Sequence, residues 1–266
     1  MTAKPKGASS VMNQRHDATD ALDDFPTPPW GTRALIERVF PKLGLYAAPG
    51  TLKGARVWEP AAGRGIMAEV LREYGCDVHA TDVHRYPDTR GRIDAIGSFV
   101  GDGGLMLDTI RPPNFKHSAR GAGIDFVITN PPFRLAQAFA LRAIREAEVV
   151  ALLCRSNWAE GAERYRELFA KHEPICEAVF CERLPMVAGG YITKTTDETN
   201  RPVRIQLEVG GYDPDASSAT AYSWFVWMRG ATTPCRKIWI PPGCETALAK
   251  PDDPSRFAKQ RDTALI

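Results

Sequence analysis

No stretch of the chain is apolar for long enough to cross a bilayer as a helix, so no membrane span is expected. Lys4 and Lys6 are followed by no apolar segment of the kind a secretory signal needs. The six cysteines (Cys76, Cys154, Cys176, Cys181, Cys235 and Cys244) form no C-x-x-C pair. That speaks against a zinc ribbon or a disulfide framework, and they read as reduced, mostly buried thiols of a cytoplasmic protein with no bound metal. A basic excess is also missing. With a net charge of +2, any contact with nucleic acid must be local, because wrapping a long duplex needs many more cations. No helix-turn-helix, zinc-finger spacing, heptad or internal repeat appears. What is present is ordinary: 266 residues, 44% apolar and 25% charged, enough for one domain with some decoration.

Two short stretches stand out against this background. Residues 124–133, IDFVITNPPF, begin as a β-branched apolar run that reads as a buried parallel strand. The strand must stop at Asn130, since Pro131 and Pro132 cannot donate to a sheet ladder and hold the preceding residue extended. A helical pattern resumes at Leu135. An amide, a carbonyl and the ring of Phe133 therefore meet at the carboxyl end of a strand, where open α/β sheets bind ligands.

The second stretch is residues 56–71, RVWEPAAGRGIMAEVL. A strand runs into a turn of small residues, and a helix starts near Ile66. Gly63 and Gly65 permit positive φ and close backbone approach, and the N–H groups at the helix start suit a polar or anionic group. The turn lacks the third glycine of a dinucleotide fingerprint and the Gly-Lys-Ser/Thr of a phosphate loop. Residues 77–82 then alternate as a second strand ending in Asp82, which stands about 20 residues after the glycines, where an acid can accept from both hydroxyls of a ribose.

Asn130-Pro131-Pro132-Phe133 resembles the catalytic tetrad of S-adenosylmethionine-dependent amino methyltransferases, particularly the N6-adenine type, and E-P-A-A-G-R-G is similar to the cofactor loop of class I methyltransferases. The resemblance covers roughly residues 25–230. It implies an α/β fold, Rossmann-like, with a mixed seven-stranded sheet and helices on both faces, and residues 222–228 as the last, antiparallel strand. It also implies transfer of a methyl group from S-adenosyl-L-methionine to the N6 amine of adenine in DNA, by a stand-alone enzyme of the kind found in phages and mobile elements. The residue types suit that chemistry. An exocyclic amine is a poor nucleophile, and two acceptors, the Asn130 side-chain oxygen and the Pro131 main-chain oxygen, can hold both its hydrogens. Phe133 would stack the base, which a DNA enzyme must flip out of the duplex.

By the same resemblance, Glu59, Pro60, Ala61, Gly63, Gly65 and Asp82 bind the cofactor, with Glu59 near its amino group. Thr27 and Trp30, in the proline-rich arm FPTPPW, pack over its methionine end, Asp102 reaches its adenine, and Asn130 lies beside it. Asp94 offers a competing alignment for Asp102. Thr32 is read as the cap of the first helix, and Tyr165, Leu168 and Phe169 as the inward side of a helix over 162–171. Arg155, Asn157 and Trp158 follow a buried strand on the same edge as Asn130 and are expected near substrate. Residues 1–15 read as a disordered tail, 16–240 as the methyltransferase domain with an irregular target-contacting insertion at about 185–220, and 241–266 as a C-terminal tail. Cytosine-C5 chemistry is disfavoured, because it needs a cysteine where Asn130 stands. Transfer to RNA or to a protein glutamine, and a silent DNA-binding homologue, remain alternatives.

Overall fold

The structure, a computed structural model, describes residues 23–45, 52–86, 91–101, 110–113, 123–186 and 220–257, with the backbone of 190–196 and 202–208. Helix α1 (Pro29–Ala34) runs through a wider turn, Leu35–Val39, into α2 (Phe40–Leu43). Strand β1 (Arg56–Glu59), helix α3 (Ile66–Glu73), β2 (Asp77–Asp82), β3 (Ala95–Ile96) and β4 (Ile124–Thr129) follow. Helix α4 (Ala136–Glu146) leads to β5 (Ala147–Arg155), a tight turn Ser156–Ala159, α5 (Ala162–Arg164), a wider turn Tyr165–Phe169, and β6 (Cys176–Phe180). Then come β7 (Gly190–Thr196), β8 (Pro202–Glu208), β9 (Tyr222–Met228), β10 (Arg236–Ile240), α6 (Cys244–Leu248) and α7 (Asp253–Phe257).

Eight strands form one sheet in the order β10-β6-β9-β5-β4-β1-β2-β3. All neighbours are parallel except β9, which runs antiparallel to both β5 and β6. This is a Rossmann-like mixed α/β arrangement. The expected count of seven strands falls one short, because β10 extends the sheet beyond β6. Its alternation was a usable signal: Ile238 and Ile240 are buried while Lys237 and Trp239 face out.

Helices cover both faces. Trp30, Leu35, Met67 and Leu71 pack with Tyr222, Trp224 and Val226 on one side, and Phe139, Ala143 and Leu168 pack with Phe225 and Trp227 on the other. Successive residues of β9 thus serve opposite cores, as period-two geometry requires. At the amino end, the Arg56 guanidinium meets Asp125 at 2.8 Å, which locks β1 beside β4. The chain leaves β1 towards β2 and returns on its other side with β4, so the topological switch lies between the carboxyl ends of β1 and β4.

Three local expectations need correction. Thr32 does not cap the first helix. The helix starts at Pro29, where a fixed φ and a dispensable N–H suit proline, and Thr32 is buried inside it. Tyr165 points outward at 62% exposure, while Leu168 faces in. The segment around 185–220 carries an antiparallel two-stranded ribbon, β7 with β8, rather than irregular chain alone. Beyond Pro241 the chain is also docked: Asp253 receives both terminal nitrogens of Arg33 at 2.6 Å, and Glu73, Lys250 and Arg256 extend this buried pair into an ionic cluster that reaches the surface. The proposed N-terminal tail and the last residues, 258–266, lie outside the described residues.

Candidate active site

Asn130 follows β4 at the switch point. Its amide nitrogen donates to the Phe25 carbonyl at 2.8 Å and lies 3.7 Å from the Met186 sulfur. Those contacts fix which way the amide faces. The oxygen, Oδ1, is buried and accepts from nothing. A desolvated carbonyl-type oxygen without a donor is unfavourable by about 1–3 kcal/mol, so this oxygen has a lone pair open to a donor on a ligand. Pro131 is buried and Pro132 half-buried, and the pair leaves no local N–H to satisfy that oxygen.

Residues 23–27 lie across this edge. Asp23 accepts from the Phe133 N–H at 2.8 Å, Asp24 pairs with Arg64 of the glycine turn at 2.7 Å, and Thr27 donates to the Met186 sulfur at 3.8 Å. The Phe25 ring packs 5.2 Å from Phe133, and Tyr222 stacks on Phe133 at 6.4 Å. Arg155 lies over the Phe133 ring at 4.4 Å. Asp23, Asp24, Phe25, Met186 and Tyr222 were not singled out from sequence as site residues. Only the unusual D-D-F-P-T-P-P-W run hinted at a stiff segment built to lie across something.

On the β1 and β2 side, Glu59 is 2% exposed, and its Oε2 has no hydrogen-bond partner. Burial holds its carboxyl well above the usual range, the nearby Asp82 adds to this, and the Arg72 charge and the Ala68 N–H oppose it. Asp82 accepts from the Gly63 N–H at 2.7 Å and from the His84 N–H at 2.9 Å. Burial raises its pKa, against those two hydrogen bonds. Each of its oxygens keeps a lone pair for a further donor.

The two glycines differ. A side chain at Gly63 would meet open space, although φ is +52°. At Gly65 a Cβ would fall 2.6 Å from the Gly91 Cα, so this glycine lets two backbones touch. Pro60 is buried and Ala61 half-buried in the same turn. An orphaned carboxylate oxygen, an acid with spare lone pairs and an open glycine form a donor-seeking cradle. A ligand with one ammonium and a pair of hydroxyls fits it.

Other sequence-derived candidates sit elsewhere. Trp30 is fully buried, edge-on to Phe180, and serves the core. Trp158 is packed among Phe169, Phe225 and Trp227 on the opposite face of the sheet from Trp224, so it does not join Phe133. Asn157 is exposed on the turn after β5. Asp102 lies outside the described residues; the third strand follows Asp94, which accepts from the Ala80 N–H. A groove of about 560 Å³ opens at the other edge of the sheet, lined by Arg145, Glu148, His172, Trp227 and Arg229, away from all of these groups. Burial pushes the Cys76 and Cys176 thiols up to about 12, which leaves them inert near neutral pH.

No family model and no curated protein sequence matches this chain. Its backbone is similar to several solved structures at low identity. The methyltransferase subunit of a type I restriction-modification system from Streptococcus thermophilus is 11% identical with a TM-score of 0.48, over 91% of this chain and 56% of that one. This chain therefore spans little more than half that subunit's length. DrdV in complex with DNA is 14% identical with a TM-score of 0.47, over 90% of this chain and 30% of that one. A 1,6-didemethyltoxoflavin-N1-methyltransferase from Burkholderia thailandensis, with S-adenosylhomocysteine bound, is 13% identical with a TM-score of 0.33, over 77% and 79%.

Proposed function

We propose that this chain transfers a methyl group from S-adenosyl-L-methionine to the N6 amine of adenine in DNA. The observation that carries the reading is the buried, unpartnered Oδ1 of Asn130 on an amide whose nitrogen is tied down. An exocyclic amine has two hydrogens to give. Asn130 Oδ1 takes one and the Pro131 carbonyl the other, and the nitrogen lone pair is thereby turned out of the ring's conjugation. The Asn130 amide is already held by its bond to the Phe25 carbonyl, which supports a site that needs little reorganisation at the moment of reaction. Neither oxygen has to be a strong base, because the amine loses its proton to water as the new N–C bond places positive charge on it.

The cofactor, when bound, supplies an electrophilic methyl on a sulfonium and leaves as a neutral thioether. Glu59 would hold its ammonium through the oxygen that now lacks a partner, and Asp82 would accept from its ribose hydroxyls. Gly63 keeps the turn free of a side chain where that ligand would lie. A flipped adenine is required because N6 is paired and stacked in a duplex.

The test uses methyl-labelled S-adenosylmethionine offered with DNA, RNA and a protein extract, followed by nucleoside analysis of the labelled fraction. Label in N6-methyladenine from DNA is the expected outcome. Asn130→Ala should lower the rate by about 10²–10³-fold, the loss seen when one preorganised polar group is removed. Cofactor affinity should stay within a few-fold of the parent protein's. Label in protein, or an undiminished rate in Asn130→Ala, would sink the assignment.

A further inference from the structure

Arg155 is the last residue of β5, and its guanidinium carbon stands 4.4 Å from the centre of the Phe133 ring. Its Nε is buried and donates to nothing among the described residues. Most other buried or half-buried arginines face carboxylates, among them Arg33, Arg56, Arg64, Arg72 and Arg256, while Arg142 and Arg164 donate to backbone carbonyls. Arg164 also lies over a ring, that of Trp158, but its guanidinium is tied to main-chain carbonyls on the far side of the sheet, whereas Arg155 stands beside Asn130 with Phe133 as its aromatic face. It also covers a surface on which a planar ring bound beside Asn130 would stack.

We propose that Arg155 restricts this site to a base carried on a polyanion: the guanidinium covers Phe133 in the empty site and leaves it for a backbone phosphate when the target base takes its place. This deepens the adenine reading above and rests on it. A guanidinium stacks on an aromatic ring and matches a phosphate through two parallel hydrogen bonds. A neutral amide or a free nucleobase would displace it and leave a desolvated charge with no anion in return. A nucleotide within a strand supplies the anion in the same step. Selectivity arises from that exchange.

The experiment measures binding of an adenine-containing duplex to the full chain with S-adenosylhomocysteine present, across a salt series, for the parent, Arg155→Ala and Arg155→Lys. Loss of one phosphate contact should reduce the slope of log affinity on log salt by about 1 in Arg155→Ala. Arg155→Lys keeps the charge and should keep the slope, though it loses the flat stack. In parallel, methyl transfer to free adenosine relative to duplex should rise about tenfold in Arg155→Ala, the weight of one charge-assisted contact. Calorimetry with S-adenosylhomocysteine should give the same affinity in all three, which checks the fold. An unmoved slope and ratio in Arg155→Ala, in a protein that does methylate DNA, would overturn this assignment alone. Absence of any transfer to DNA by the parent chain would overturn the adenine reading, and the role of Arg155 with it.

Discussion

Replacing Glu59 by glutamine keeps the shape of a 2%-exposed side chain and removes its charge. In the ligand-free protein that charge is a liability. One carboxylate oxygen has no partner, burial disfavours the ionised form, and the like charge of Asp82 is close. Glutamine leaves one polar atom there equally unpartnered, so the gain in stability of the empty fold is that of removing the charge alone, about 2 kcal/mol for the extra penalty a buried charge carries over a neutral group. For a protein of this size that is a rise of roughly 4–8 °C in Tm. The same change removes the anion that meets the cofactor's ammonium, a charge-assisted bond of about 1.5–3 kcal/mol, so affinity should fall about 10- to 150-fold. With ligand at about a hundred times the parent Kd, the parent gains ~2.7 kcal/mol of stability, while a variant weakened about thirty-fold gains only ~0.9 kcal/mol. Thermal melts with and without S-adenosylhomocysteine, backed by calorimetry, read both effects. pH adds a sign. The raised pKa of Glu59 means the folded state binds more protons than the unfolded one above the ordinary carboxylate range, so parent stability falls as pH climbs through that window. The glutamine variant should lack this slope. A variant that melts lower than the parent when empty, with its gain from ligand unchanged, would refute the reasoning.

The glycine turn and the C-terminal clamp are equally open to test. Gly65→Ala forces a Cβ to within 2.6 Å of the Gly91 Cα at φ +79°, and should destabilise the fold more than Gly63→Ala, which meets no atom and bears only the left-handed backbone penalty of about 1–2 kcal/mol. Denaturant midpoints compare the two, and equal losses would contradict the backbone-contact role of Gly65. Glu73 sits among Arg33, Lys250 and Arg256. Burial pushes its carboxyl up, but their hydrogen bonds outweigh this and hold it down at about 2. The stability it contributes is present above the ordinary carboxylate pKa and is lost as pH falls towards about 2, so Glu73→Gln should flatten the acid limb of a Tm-against-pH curve. A limb of unchanged steepness would remove Glu73 from the clamp.

Much of the site was legible in sequence because its parts are set by constraints that act over a few residues. Two prolines end β4 after Thr129 and leave Asn130 at the edge. Gly63 and Gly65 adopt positive φ in the turn after β1, and Asp82 closes β2 one strand away. The helical period placed α4, and an unbroken apolar run placed β5. The same reasoning failed where a local pattern had two solutions. Trp158 and Arg155 are three positions apart, yet one indole enters the far core while the guanidinium turns to Phe133. Thr32 has the chemistry of a cap, but Pro29 had already begun the helix.

The motifs themselves, their order and the strand ends that carry them were written in neighbouring residues, because φ limits and side-chain alternation are local effects. Which groups face one another was decided only by the crossing of strands. Asn130 meets Phe25 from 105 positions away, and Arg33 meets Asp253 across 220. Even the direction in which the Asn130 oxygen faces is set by a distant carbonyl that accepts from the amide nitrogen, and no rule of near-neighbour chemistry could have foretold that pairing.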